Sequence, residues 1–352
     1  MDNLCVLIPA HNEELLLGQC IESALCAIKN PENIYVVDDA SSDKTFETAQ
    51  KYGVNILRNE INLGKAASIK RALDEFRIEE KYEFVALLDA DSQVAGSYDS
   101  VINIFKKDGG VVVVCGQVKS LCHNWITAHR AFSYFIAQKI YKRGQSKLGV
   151  ITVAPGCATV YRSNILSKLK WEADTLVEDM DLTVQIHRAK IGQLVYCESL
   201  ITQTQDPKTL KSYIGQMNRW FTGTWQIVRK YKIPFGFQRI DAELALLLGE
   251  GITFSLLVIL LPLFAVFFTS AFWIAFTVDQ LVLIAVALWA SFREKRGDLL
   301  KFFPLFIILR AIDCFISLTT FYSVIIRKKR NGSQGWFKPV RYFQKTEDTL
   351  NT

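Results

Sequence analysis

The segment Phe84-Val85-Ala86-Leu87-Leu88-Asp89-Ala90-Asp91 constrains the fold of this chain more than any other. It is an unbroken apolar run of strand length that ends in two carboxylates one residue apart. Runs of this kind suit a strand buried on both faces of a parallel sheet, and open α/β sheets bind ligands outside the C-terminal ends of such strands. Residues i and i+2 of a strand point the same way, so Asp89 and Asp91 can reach one divalent ion or one nucleotide from one side. The competing reading is a plain acidic turn at a strand end.

The flanking sequence repeats the pattern. Leu4–Ile8 reads as a strand ended by Pro9, and Leu15–Lys29 as a helix. Ile34–Asp39 is a second strand ending in acids, Asp38 and Asp39, and Val54–Leu57 a third. Ser41-Ser42-Asp43-Lys44-Thr45 is rich in N-cap residues and predicts a helix to about Tyr52. Asn62-Leu63-Gly64-Lys65 opens another helix that runs to about Phe76. Strands alternating with helices of this length predict a doubly wound α/β sheet. Further on, a strand is expected over Gly110–Val118, a long helix over Trp125–Arg143 and an extended piece over Ile151–Tyr161. An acidic loop and a helix from about Asp179 follow.

At 352 residues the chain has room for about two structural units. Hydrophobicity is concentrated after residue 243. Leu244–Phe268, Ala271–Phe292 and Phe302–Ile326 each exceed the roughly 20 apolar residues a membrane span needs. The third contains Arg310 and Asp313, three apart on one helical face and placed to pair within a bundle. The net charge of +6 gathers around these segments, at Arg229, Lys230, Lys232, Arg293, Lys295, Arg296, Lys301 and Arg327–Arg330. That distribution points to an anionic cytoplasmic membrane surface and not to nucleic acid. A single crossing by Phe302–Ile326 would put two basic clusters on opposite sides, so this segment is either re-entrant or interfacial, or one cluster is outside. Pro207–Lys232 mixes Tyr213, Trp220, Phe221 and Trp225 with basic residues, as an interfacial helix does; a core helix is the alternative. The eight cysteines show no CxxC spacing and read as reduced core thiols. Met1-Asp2-Asn3 leads directly into a strand, so the chain is expected to begin inside its catalytic domain, without a signal peptide.

Four clusters carry the chemistry: Asp38-Asp39, Asp89-Ala90-Asp91, Glu178-Asp179-Met180-Asp181 and Gln216-Met217-Asn218-Arg219-Trp220. Singly, each has a bland reading as a capped turn, a solvated loop, a charged helix start or a surface helix. As a set, together with Val6–Glu13, Pro155-Gly156 and Tyr161-Arg162, they resemble the membrane-integrated family 2 glycosyltransferases of GT-A fold, the group of cellulose, chitin, hyaluronan and poly-N-acetylglucosamine synthases. The resemblance covers about residues 4–232. It implies a GT-A-type mixed sheet, a UDP-sugar donor, and Mg²⁺ or Mn²⁺ held by Asp91 with Asp89. Pro9, Asn12, Glu13, Asp38 and Asp39 would hold the nucleoside, with Arg219 on the diphosphate. Asp179 would be the general base, with Glu178 and Asp181 shaping its surroundings. Gln216 and Trp220 would meet the acceptor. Lys65 reads either as a positive charge near the nucleotide or as a solvated lysine at a helix start.

The expected organisation is a catalytic domain over 1–206, interfacial helices over 207–243, membrane spans over 244–326 and a basic tail over 327–352. The expected activity is inverting transfer of glucose or N-acetylglucosamine to a saccharide at the cytoplasmic membrane face, in polysaccharide synthesis. Single addition to a ceramide or polyprenyl-linked acceptor is the alternative, and a non-catalytic nucleotide-sensing membrane protein is a third reading. Two or three spans are few for a polysaccharide channel, so a homo-oligomer or an export partner enters as a partner. Gly332–Phe337 reads as a tail in preference to a loop folded over the site, and Asn331-Gly332-Ser333 fits a glycosylation sequon. The four histidines have no ligand spacing. No Gly-rich basic phosphate loop follows the first strand, which argues against a nucleotidyltransferase.

Overall fold

The structure, a computed structural model, describes residues 3–121, 124–172, 174–267, 269–328 and 340–342. Eight strands form one sheet in the order β3-β2-β1-β4-β7-β6-β8-β5. β1 (Leu4–Ala10), β2 (Ile34–Asp38), β3 (Asn55–Arg58) and β4 (Phe84–Leu87) are parallel to one another. β1 sits between β2 and β4, and its alternate residues enter different cores. Leu4, Val6 and Ile8 pack beneath the Leu17–Ile28 helix, while Cys5 and Leu7 pack with Ile69, Ala72 and Leu73 of the Lys65–Glu75 helix. Burial on both faces is why these strands are continuously apolar.

The second half of the sheet is mixed. β5 (Ser92–Ala95), β6 (Val111–Ser120), β7 (Thr159–Arg162) and β8 (Gln193–Thr204) complete it. β7 runs antiparallel to β4 and β6, β8 runs parallel to β6, and β5 lies antiparallel to β8 at the edge. Neither β5, β8 nor the Asp99–Lys107 helix is apparent in the sequence pattern. β8 mixes exposed and buried positions without a clean alternation, because its two ends have different neighbours. The long helix expected over 125–143 is present, and a π-helical stretch from Ile136 to Lys142 interrupts it.

Beyond the sheet, the Leu210–Tyr231 helix starts at an N-cap, Thr209, whose side chain accepts from Ser212 N. Its apolar side chains are divided between two clusters. Ile227 packs with Met180 and Val184, while Tyr213 and Met217 pack with Ile126, Leu309 and Ile316. Two long helices follow, Arg239–Phe267 and Thr269–Glu294. Each contains a 22-residue apolar stretch long enough to cross a membrane, Arg239–Leu260 and Trp273–Glu294, and only 11% of the most apolar window in each is buried by protein.

Three expectations change here. The third apolar segment starts later than expected: Asp298–Phe302 is a separate short helix, the chain turns through Phe303–Leu305 around Pro304, and a helix then runs from Phe306 to Phe321 and continues as a π-helical stretch to Ile326. Proline removes a helical donor and clashes with the preceding turn, which accounts for the break. Arg310 and Asp313 do not pair. Arg310 bonds Asp279 at 3.0 and 3.3 Å, and Asp313 accepts from Tyr213 Oη at 2.7 Å. Part of the basic patch is also committed within the protein: Lys230 binds Asp174 and Asp181, and Arg296 binds Asp298 and the Ser120 carbonyl. The seven cysteines among the described residues are all free. The Gly332–Phe337 segment and the sequon lie outside the described residues.

Candidate active site

The C-terminal ends of β1, β2 and β4 open at one edge of the sheet, and the loops leaving them are laced together. Asn12 N donates to Ser41 Oγ and Glu13 N to Thr45 Oγ1, while Asn12 Oδ1 accepts from Ser42 N. Asn12 and Ala40 hold left-handed backbone (φ 53° and 55°), which asparagine tolerates and alanine does not favour. Asp39 ties in the next loop, accepting from Asn59 Nδ2, Leu63 N and Gly64 N, each at 2.8 Å. Its carboxylate therefore shapes the wall of the site from within. His11 joins the same wall, with Nδ1 2.6 Å from the Asp39 carbonyl oxygen.

At the centre, Lys65 bridges two of the acidic clusters. Its Nζ lies 2.6 Å from Asp89 Oδ1 and 2.7 Å from Glu178 Oε1, with the lysine side chain 16% exposed. Lys65 is thus an ion-paired group of the site and not a solvated helix start. Gly156 permits this: a Cβ there would stand 2.7 Å from Lys65 Nζ. Gly156 N also donates to Asp179 Oδ2, and Asp179 Oδ1 accepts from Met180 N at 2.8 Å, at the start of the Glu178–Arg188 helix. That helix start is held by close packing, because a Cβ on Gly223 would meet Val177 Cγ1 at 2.6 Å.

The acids differ in proton affinity. Burial and then the charge of Glu178 push the Asp179 carboxyl up to about 6. Burial pushes Glu178 up too, but Lys65, helped by Arg219, outweighs it and holds the group below the usual range. Burial raises Asp89 against the pull of Lys65, with Asp91 adding to the rise.

The opposite wall comes from the Leu210–Tyr231 helix, which presents Gln216, Arg219 and Trp220 to the same cleft. Arg130 supports it. The guanidinium lies over the Trp220 ring at 4.4 Å and the Tyr134 ring at 4.6 Å, and its Nε donates to Asp206 Oδ1 at 3.2 Å. Gln216 Oε1 is buried and has no hydrogen-bond partner among the described residues.

These groups line one cleft of about 970 Å³, with Pro9, Asn12, Glu13, Asp39, Lys65, Asp89, Asp91, Glu178, Asp179, Gln216, Arg219 and Trp220 all on its wall. Two expected site residues are not there. Asp38 is fully buried, with Oδ1 accepting from Ser41 N and Oδ2 3.2 Å from Arg58 Nε. Neighbours on a strand face opposite ways, so Asp38 points into the fold where Asp39 points to the cleft. Asp181 is also buried, and pairs with Lys230 at 3.1 Å. Two steps along a helix turn through about 200°, which directs it away from Asp179.

One site residue has no signal in the pattern. Arg341, from the C-terminal segment, reaches into the cleft: its Nη2 lies 2.6 Å from Glu13 Oε1 and 2.7 Å from Asp91 Oδ2. A basic residue in a basic tail looks like a solvated charge, and only the tertiary fold distinguishes it. The tail reading is corrected at residues 340–342, which return to the site.

Among the described residues, no group of three or more His, Cys, Asp or Glu side chains is arranged to hold a metal by itself. Mg²⁺ and similar hard cations are commonly held by one or two carboxylates together with substrate phosphates and water. Asp89 and Asp91 at the end of β4 supply that donor set, so the residues fit such an ion brought in with a diphosphate.

A mixed sheet with carboxylates at its parallel strand ends, a lysine between them and an arginine–tryptophan wall defines a GT-A-type sugar-transfer fold. Residues 5–170 match the family model described as Glycosyl transferase family 2. A probable glycosyltransferase, YdaM, of Bacillus subtilis is 28% identical over 67% of this chain and 58% of its own length. The poly-beta-1,6-N-acetyl-D-glucosamine synthase of Staphylococcus epidermidis is 24% identical over 97% of this chain and 88% of its own length. The chain thus spans little more than half of the first relative and most of the second. Among solved structures, a mannosyltransferase from Pyrobaculum calidifontis in complex with GDP-Man and Mn²⁺ superposes with a TM-score of 0.62 at 16% identity, over 91% of this chain and 87% of that one. At this identity the likeness speaks for the fold.

Proposed function

We propose that this protein transfers a sugar from a UDP-sugar, UDP-N-acetylglucosamine or UDP-glucose, to a saccharide acceptor at the cytoplasmic face of a membrane, with inversion, in polysaccharide synthesis. The observation that carries this reading is the gathering of Asp89, Asp91, Lys65, Glu178 and Asp179 opposite Gln216, Arg219 and Trp220 in one cleft. The poly-N-acetylglucosamine synthase that matches nearly the whole chain favours N-acetylglucosamine as the sugar.

The residues divide the work. Asp179 takes the proton of the acceptor hydroxyl; a base whose pKa is about 6 is ionised at neutral pH yet basic enough to accept it. The two backbone N–H bonds on its oxygens fix its direction. Lys65 and Arg219 place positive charge where a diphosphate leaves. Asp91 and Asp89 would hold Mg²⁺ or Mn²⁺, which would neutralise charge on that leaving group. Gln216 Oε1, unpartnered among the described residues, accepts a ligand hydrogen bond, since leaving it empty costs about 1–3 kcal/mol. Trp220, backed by Arg130, gives the acceptor sugar a flat face. One base opposite a bound leaving group suits a single in-line displacement, which inverts the anomeric centre.

The two long apolar helices, largely uncovered by protein, anchor the enzyme as a multi-pass membrane protein. One feature favours a second reading, single addition to a lipid-linked acceptor: Leu247, on the first of these helices, lines the cleft. Two such helices are few to enclose a polymer channel, so export would take a second copy or a partner.

Membranes containing the protein, given labelled UDP-sugars with Mn²⁺ or Mg²⁺, are expected to make a long product. A one-sugar lipid product would remove the polymer reading, and no incorporation from any nucleotide sugar would remove both. Asp179→Asn is expected to lose at least about a thousandfold in transfer while still binding UDP with metal; retained turnover would dismiss Asp179 as the base.

A further inference from the structure

Arg341 sits where a cation of the donor site belongs. Its Nε lies 2.9 Å from Glu13 Oε2 and its Nη2 2.6 Å from Glu13 Oε1, a two-toothed clasp. The same Nη2 holds Asp91 Oδ2 at 2.7 Å, and the other Asp91 oxygen accepts from Ser92 Oγ at 3.1 Å. Both Asp91 oxygens are therefore engaged. The arginine side chain is 14% exposed and those of Glu13 and Asp91 are 6% and 16%, so solvent screens these contacts little.

The arginine is delivered by a second lock. Tyr342 N donates to Gln205 Oε1 at 3.2 Å, and Gln205 Nε2 donates back to the Tyr342 carbonyl at 2.8 Å. Tyr342 Oη donates to the Asp206 carbonyl, and Lys208 Nζ stands 4.0 Å from the Tyr342 ring centroid. Gln205 N in turn bonds the Asp91 carbonyl. The short stretch 340–342 is thereby pinned to the end of β8, and its charge to the acids beside β4.

We infer that Arg341 is a resident cation of the donor site, competing with a divalent ion for Asp91 and Glu13, so that loading of ion and donor releases the 340–342 segment. This rests on the reading of Asp91 as a cation-holding carboxylate. Asp91 cannot give the same oxygen to a guanidinium and to a metal, and a divalent ion set beside an undisplaced guanidinium meets like charge. The clasp therefore lowers the apparent affinity for the ion by the fraction of time the site is open.

The test uses the full chain in detergent with Mn²⁺ alone as probe, binding being read by electron paramagnetic resonance. Arg341→Gln is expected to bind Mn²⁺ about tenfold more tightly than the parent, the gain for a site otherwise open about one-tenth of the time. Arg341→Lys, which keeps the charge, is expected to gain less. In the parent protein, trypsin cleavage between Arg341 and Tyr342, followed by mass spectrometry, is expected to quicken when Mn²⁺ and UDP are added together. Equal Mn²⁺ affinity in the parent and Arg341→Gln overturns the competition, as does a cleavage rate unmoved by Mn²⁺ and UDP. Absence of sugar transfer by the parent itself, alongside tighter Mn²⁺ binding by Arg341→Gln, would instead fault the assigned activity and leave the competition standing.

Discussion

Replacing Lys65 by methionine keeps the length and apolar stem of the side chain but removes the charge shared by Asp89 and Glu178. Both contacts are short, and the three side chains are 16%, 33% and 13% exposed. Removing one member of a largely buried ion pair typically costs about 3–5 kcal/mol, because the remaining charge is stranded. For a catalytic unit of this size, about 2–4 °C per kcal/mol translates this into a loss of about 6–20 °C in melting temperature at pH 7 to 8. The sign of its pH dependence identifies the cause. Asp89 and Asp179 already have raised carboxyl pKa values in the fold; without Lys65 these two rise further, and Glu178 loses the main charge that holds it low. A carboxyl whose folded pKa lies above its unfolded value destabilises the fold at high pH, and that penalty fades as pH falls through the folded pKa. The gap between variant and parent should therefore narrow from pH 8 to pH 5, by about 1.4 kcal/mol for each unit of added shift. The assay is thermal unfolding in detergent across that range, run beside UDP binding. A gap constant with pH would refute the electrostatic account and assign the loss to packing around Gly156.

The rate of transfer should fall about tenfold per pH unit below about 6, as Asp179 takes up its proton; a flat profile from pH 7 to 5 would exclude it as the base. Arg130→Lys keeps the charge but loses the planar group that lies over Trp220 and binds Asp206. It should raise the acceptor KM about tenfold, about 1.4 kcal/mol, with the donor KM nearly unchanged. Trp220→Ala should act in the same direction, and equal effects on both KM values would mean that this wall does not separate acceptor from donor.

The legible part of the fold was local. β1, β2 and β4 stand out because strands covered on both faces must be apolar throughout, and Asp39, Asp89 and Asp91 follow because carboxylates just beyond such strands face a ligand edge. Glu178-Asp179 and Gln216-x-x-Arg219-Trp220 were readable as clusters, each carried on a single helix. β8 was hidden because its ends have different neighbours, and the third apolar segment misled because its length was clear but its protein contacts were not.

The amino-acid order alone therefore determined the alternation of strands and helices, the acidic strand ends and the two long apolar helices, since these depend on residues a few positions apart. Tertiary packing decided which acids serve the cleft. It turned Asp38 to Arg58 and Asp181 to Lys230, and set Lys65 between Asp89 and Glu178. It also brought Arg341 to Glu13 across 328 positions of chain. Partners so far apart leave no periodic trace, because their meeting is fixed by how whole elements pack and by the cost of leaving a buried charge alone.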